Sequence, residues 1–204
     1  MVVVVLSLAA GMRRFEIETL SRETTGERGI IAELEQMIAG AAEVITFNGR
    51  AFDVPVLLAR AAVTEQAVPN LAKLYRRECV GTHADLLEEV TCYRTAPRMK
   101  LSQLCAALSI PAKLDVAGGD VGQLACDGEW KRIADYCETD VVATWLARQM
   151  WQGNQMDGLG RERWQELSDW ILGDQPRLHH LLPYTNLPPY PGGGRQLGNV
   201  PVEF

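Results

Sequence analysis

Two short stretches place acidic and phenolic side chains where they can act together. In DYCETDVVATWLARQ, Tyr136 and Asp140 stand four positions apart in a helical pattern, which puts both side chains on one helix face with Cβ atoms roughly 5–6 Å apart. In TFNGRAFDVPVLLARA, a strand-like run ends at Asn48, Gly49, Arg50, Ala51, Phe52 and Asp53, and a helix-like run follows. Strand, turn and helix is where open α/β sheets carry their chemistry, at the carboxyl ends of the strands. Carboxylate and phenol oxygens, with no thiolate or imidazole cluster beside them, suit hard divalent cations such as Mg²⁺ or Mn²⁺. Such cations counter the negative charge of a phosphodiester and lower the pKa of a bound water. Each residue also has a plain structural reading: Asp53 as a helix-start residue, Tyr136 as a core tyrosine, Asp85 of THADL as an N-terminal helix residue, and His83 as a hydrogen-bonded histidine outside the catalytic set.

The elements that must position these groups are readable from periodicity. Residues 2 to 9 (VVVVLSLA) and 14 to 20 (RFEIETL) are strand-like and flank Gly11-Met12-Arg13, so an antiparallel hairpin is expected. Ile30, Ile31, Leu34, Met37 and Ile38 recur at helical spacing up to Gly40. Val44 to Phe47 is a short strand, and Val56, Leu57, Leu58 and Ala61 mark the next helix. Leu101, Leu104, Cys105 and Leu108 form a short amphipathic stripe, and residues 129 to 151 a long helix. The tryptophans, all between Trp130 and Trp170, fit packing among late helices. From Asp174 onward, prolines and Gly192-Gly193-Gly194 predict a mostly irregular tail with His179 and His180 at the surface. The domain reading is 1–173 for the folded unit and 174–204 for the tail.

The whole chain, 204 residues with 47% hydrophobic content, is long enough to bury one core. A net charge of -6 argues against a broadly basic nucleic-acid-coating surface, but leaves room for an acidic cleft with a local basic track. Arg94, Arg98 and Lys100 in YRTAPRMK, with Lys113 in IPAK, form that positive stretch; phosphate contact and simple solvation both remain open for it. The five cysteines have no metal-ligand spacing, which points to reduced thiols and a cytoplasmic setting. The apolar opening is too short to cross a bilayer, so no membrane partner is expected.

Asn48, Phe52 and Asp53 match the second motif of proofreading-type 3'-5' exonucleases, and Tyr136 with Asp140 matches the third motif, Tyr-x-x-x-Asp, of the tyrosine subclass. With THADLLEEV, IPAKLDVAGGDV and GEWKRIADYCETDVVATWL, the chain from about residue 2 to 153 resembles the predicted 3'-5' exonucleases related to the proofreading domain of family B DNA polymerases. The resemblance implies an α/β fold of the ribonuclease H-like (DnaQ-like exonuclease) type, a mixed sheet flanked by helices. It also implies hydrolysis of phosphodiester bonds from a 3' end by a two-metal-ion mechanism. Asp140 and Asp53 would hold Mg²⁺ or Mn²⁺, and Tyr136 would orient the attacking water. Asn48, Phe52 and Lys113 would contact the terminal nucleotides, single-stranded DNA foremost, with RNA also open. A homo-oligomer or a polymerase or repair partner is left open. The alternative is a catalytically inactive nucleic-acid- or partner-binding module with the same fold.

The family also needs a first motif, Asp-x-Glu, on the central strand. FEIET imitates it, because alternation places Glu16 and Glu18 on one side and Phe15 and Ile17 on the other. An edge strand with an acidic outer face looks the same. The 34 positions from 19 to 52 hold one helix and one strand, not the two further strands the fold requires before the second motif. The hairpin is therefore expected to be the second and third strands, with the first central strand absent from the chain as given; the alternative is that FEIET acts as a displaced, Glu-for-Asp first motif after a rearranged hairpin. Either the coding region begins upstream with that strand, or the strands flanking the gap re-pair with each other or borrow a strand from a partner.

Overall fold

The computed structural model describes residues 2–9, 14–76, 82–111, 120–153 and 158–188. Strands β1 (Val2–Ala9) and β2 (Arg14–Ser21) form an antiparallel hairpin in which Leu6 faces Ile17 and Leu8 faces Phe15. Alternation sends Phe15 and Ile17 into the core and leaves Glu16 and Glu18 exposed on the reverse face. Helix α1 (Arg22–Gly40) packs against β2 and buries Ile30 and Ile31; Gly26, at φ 68°, breaks its first turns. The helix thus starts well before the apolar repeat at Ile30, because its first turns carry polar residues.

A second, parallel pair follows: β3 (Val44–Thr46) lies beside β4 (His83–Asp85), with Thr46 opposite Asp85. Between them run α2 (Asp53–Val63) and α3 (Pro69–Tyr75), and α4 (Leu86–Val90) continues directly from β4. Helices α5 (Leu101–Ala107), α6 (Val121–Cys126), α7 (Trp130–Gln152) and α8 (Leu159–Gly173) complete the helical part. Helix α7 is the hub, touching β1, β3, α5, α6 and α8. Its Val142, Ala143, Leu146 and Ala147 lie in the main core with Phe15, whose ring meets Trp145 edge-on at 4.9 Å. Arg148 of α7, only 6% exposed, is held by both carboxylate oxygens of Glu43 at 2.8 and 2.9 Å, which pins α7 to the start of β3.

Two expectations gain detail here. The described part of the tail holds one regular element: residues His179–Thr185 form a 3₁₀ helix. Leu178, Leu181 and Tyr184 recur every third residue, the 3₁₀ period, and are fully buried. The indole of Trp164 on α8 donates to the Tyr184 carbonyl at 2.7 Å. His180 is also drawn in, 3.0 Å from Glu138 of α7, whose other carboxylate oxygen accepts from Thr19 at 2.6 Å. Second, the two strand pairs do not close on each other. Among the described residues β1 bonds only β2, and β3 bonds only β4. The fold is mixed α/β with two small sheets.

Candidate active site

The turn that presents Asp53 is built around one buried carboxylate. Asp85, 3% exposed at the end of β4, accepts from the backbone N–H of Asn48 at 2.8 Å and of Arg50 at 3.0 Å. It accepts a third bond, 3.1 Å, from Leu87 N–H as the N-cap of α4. The structural reading of Asp85 therefore holds, and its role is to fix the NGRAFD turn. Arg50 fills the space behind: its guanidinium donates to Glu88 at 3.0 Å and to the carbonyls of Leu74 and Arg76 at 2.8 and 2.9 Å. His83 is locked as well. Its Nδ1 donates to the Leu74 carbonyl at 2.7 Å and its Nε2 lies 2.9 Å from the Thr46 hydroxyl. Burial, followed by the nearby Arg50 charge, outweighs the Leu74 bond and lowers its pKa, so it serves as a neutral strut.

Asn48 takes the left-handed conformation, φ 64°, that asparagine tolerates better than most residues. Gly49 then passes against β3. A Cβ there would sit 2.5 Å from Thr46 Cβ and 2.6 Å from its Oγ1. Gly49→Ala is thus expected to push Thr46 off His83 and to cost about 1–3 kcal/mol, as overpacking does. Thermal unfolding checks this: a melting temperature equal to that of the parent would show that the turn absorbs the methyl group.

Asp53 opens α2, and Tyr136 and Asp140 stand one turn apart on α7. All three line a single cleft together with Phe52, which is 63% exposed. The Tyr136 phenol hydrogen-bonds the Asp140 carboxylate. Burial raises the Asp140 pKa, and this bond only partly offsets the rise. Asp53 is raised too, by desolvation first and then by the negative charges of Asp85 and Asp140. Because the Asp53 side chain is open to the cleft, water moderates its shift, and Asp140 is the stronger case.

The surroundings of Asp140 contain groups that sequence reasoning did not single out. Burial, then the Asp140 charge, pushes the Cys105 thiol up to about 12. Burial, then Asp140, Asp53 and Glu138, pushes the Cys137 thiol up to about 11. Tyr184 is raised by burial, Cys105 and Asp140. All three stay protonated at neutral pH, so they supply a low-polarity wall rather than ligands. Cys137 follows Tyr136 directly, whereas the spacing of apolar residues marks Cys105 and Tyr184 only as buried positions, and packing on α7 brings them to the site.

The raised carboxylates have a stability consequence. A carboxyl whose folded pKa exceeds its unfolded value binds more protons when folded, so stability falls as pH rises from about the ordinary 3.8 through the raised value. Above that window the charged pair is a standing cost. Asp140→Asn is therefore expected to be more stable than the parent at pH 7 without divalent cations, with the difference fading below pH ~4. Urea unfolding at both pH values would show it, and a destabilised variant at pH 7 would contradict it.

Other candidates fall as follows. The amide oxygen of Asn48 accepts from Arg94 at 3.2 Å and Arg98 at 3.3 Å, so two guanidinium groups of the positive stretch stand at the turn that leads to Asp53. Lys100 lines the same cleft. Lys113 lies outside the described residues. Glu16 and Glu18 lie on the hairpin face opposite Phe15 and Ile17; Glu18 nevertheless lines the same cleft as Asp53 and Asp140, and Glu16 is exposed outside it. The Asp53 and Asp140 pair fits a divalent cation as two of its oxygen ligands, since a cation would relieve the repulsion that raises Asp53. Among the described residues no cluster of three or more His, Cys, Asp or Glu side chains completes that set.

The described residues thus form a mixed α/β domain in which two carboxylates and a phenol line one cleft. The chain belongs to the family described as predicted 3'-5' exonucleases related to the exonuclease domain of PolB, whose model matches residues 1–186. No curated protein and no solved structure matches it. Among the described residues no helix is long and apolar enough to cross a membrane.

Proposed function

We propose that this domain removes nucleotides from the 3' end of single-stranded DNA, with Asp53 and Asp140 holding Mg²⁺ or Mn²⁺. The observation that carries the reading is that Asp53, at the start of α2, and Tyr136 and Asp140, one turn apart on α7, line one cleft although they come from distant parts of the sequence. When bound, the divalent cation would supply charge neutralisation at the phosphodiester and activation of water. The protein groups would do the positioning. Tyr136, whose burial and neighbour Asp140 keep it a phenol, is a hydrogen-bond donor and acceptor that orients water beside Asp140. Phe52, exposed on the cleft rim, gives a terminal base a surface to stack on. Arg94, Arg98 and Lys100 supply positive charge for the phosphate backbone. RNA would fit the same groups, since none of them reads a 2'-hydroxyl.

The test is release of mononucleotides from 3'-labelled single-stranded DNA with Mg²⁺ or Mn²⁺. Absence of release both from this chain and from a form extended at its start by a strand bearing Asp-x-Glu would overturn the reading. A second reading, a binding module of the same fold without catalysis, is favoured by one observation, the absence of a third acidic ligand among the described residues. It requires oligonucleotide binding that EDTA leaves intact and that Asp140→Ala does not weaken. Metal-dependent cleavage would remove it.

A further inference from the structure

The segment between α4 and α5 combines strain, exposure and charge outside the cleft. Cys92, Tyr93 and Arg94 are three consecutive residues with positive φ, 47°, 54° and 70°, and none of them is glycine. Residues with a Cβ rarely visit this left-handed region, and a run of them there is costly. The turn is nonetheless firmly held. Tyr93 N–H donates to the Glu88 carbonyl at 2.7 Å and Ala96 N–H to the Thr91 carbonyl at 3.0 Å. Arg94 N–H donates to the hydroxyl of buried Thr91 at 3.1 Å. Backbone strain kept in place by such bonds is characteristic of functional positions. Its effect here is to display an aromatic ring: Tyr93 is 67% exposed, as open to solvent as Phe52 on the cleft rim.

The charges around the ring suit a polyanion. The Arg94 and Arg98 guanidinium groups both donate to one acceptor, the Asn48 amide oxygen, so two like charges converge on an uncharged atom. Glu88 lies 3.5 Å from Arg94 but is already engaged by Arg50 at 3.0 Å. Among the described residues no carboxylate pairs with Arg98. An anion bridging the two guanidinium groups would relieve their repulsion. Asn48 connects the pair to the cleft, because its carbonyl accepts from Phe52 N–H at 3.1 Å. Lys100, two residues beyond Arg98, lines the cleft, whereas Tyr93, Arg94 and Arg98 lie outside it. A phosphodiester chain supplies both complements, phosphates for the arginines and bases for the ring. A free anion or a run of acidic residues leaves the ring without a flat partner.

We propose that the turn at residues 92–98 is an upstream nucleotide subsite: Tyr93 stacks on a base of the single strand whose 3' end enters the cleft, and Arg94 and Arg98 together hold the adjoining phosphate. The direction of the strand rests on the exonuclease reading; the binding does not. The test is fluorescence anisotropy of labelled oligothymidylates with the full chain in EDTA, so that nothing is cleaved. The octanucleotide is expected to bind about tenfold or more tighter than the dinucleotide, and Tyr93→Ala should remove most of that advantage, as loss of one stacked base does. Tyr93→Phe, which keeps the ring, should retain it. Arg98→Gln should flatten the plot of log affinity against log salt concentration by about 0.7, the value for one phosphate contact on a single strand. The proposal is overturned if the parent shows no length advantage, if Tyr93→Ala keeps it, if Tyr93→Phe loses it, or if the salt slope is unchanged. Displacement of the octanucleotide by inorganic phosphate or octaglutamate at matched charge would overturn it too. Failure of the exonuclease reading would show instead as absence of nucleotide release with this binding pattern intact.

Discussion

Asp140→Asn is expected to reduce metal-dependent release of 3' nucleotides by on the order of 10²–10³-fold, the loss seen when one electrostatic element is taken from a transition state. The substitution keeps the size of the side chain and an oxygen that can still accept from the Tyr136 phenol. What it removes is the charge. That separates two explanations of inactivity: a collapsed cleft would lower the melting temperature, whereas the loss of the burial cost at Asp140 should raise it at pH 7. A variant that is inert and more stable at once is the signature of a charge kept for chemistry at the expense of the fold. Activity is read with labelled single-stranded DNA on whichever form of the chain turns over, and Mn²⁺ binding by electron paramagnetic resonance gives an independent reading. A variant that keeps parental Mn²⁺ affinity would exclude Asp140 as a ligand. Tyr136→Phe, which removes only the hydroxyl, should leave Mn²⁺ binding nearly intact while turnover falls, because its proposed role is to orient water.

How much of this was legible in the sequence follows from the range of the interactions. Tyr136 and Asp140 share a face because a helix repeats every 3.6 residues, a local rule, and α7 runs Trp130–Gln152 against an expected 129 to 151. The turn at Asn48 to Asp53 is equally local, since a strand of β-branched residues runs into a glycine and then a helix. Asp85 was ambiguous for the opposite reason. Its partners Asn48 and Arg50 lie 37 and 35 residues away, and nothing near position 85 announces that two backbone N–H groups will converge on it. In the segment after Asp174 the prolines outweigh a weaker signal for a short buried 3₁₀ turn, the three-residue spacing of Leu178, Leu181 and Tyr184. Pro183 sits inside that 3₁₀ helix without breaking it, as a turn this short has few bonds to lose. The acidic face of FEIET illustrates a limit of pattern reading: alternation gives Glu16 and Glu18 the same face, but only the packing of the hairpin shows that Glu18 lines the cleft of Asp140 while Glu16 does not.

The position whose loss should damage the molecule most is Asp85, which touches no part of the proposed chemistry directly. Its carboxylate is nearly sealed and accepts from three backbone N–H groups, two in the NGRAFD turn and one at the start of α4. Asp85→Ala leaves those donors facing apolar surroundings, and each unsatisfied buried group costs about 1–3 kcal/mol. Even with water reaching the partly exposed Asn48 and Arg50 donors, a total of roughly 3–5 kcal/mol is a large share of the 5–15 kcal/mol typical of a domain. At about 2–4 °C per kcal/mol for a chain of this size, the melting temperature should drop by ~10 °C or more. Asp85→Asn is the informative companion. Its amide oxygen keeps one acceptor site, but its NH₂ group is a donor and must face N–H groups that also donate. It should therefore fall between parent and alanine in stability, yet still loosen the turn. Because Asp53 is carried by that turn, both substitutions should weaken Mn²⁺ binding, with Asp85→Ala the worse, although neither removes a proposed ligand. Thermal unfolding and Mn²⁺ titration together check the coupling. An Asp85→Ala protein that melts with the parent, or one that melts early yet binds Mn²⁺ as tightly at a temperature where it remains folded, would show that the buried carboxylate does not govern where Asp53 stands.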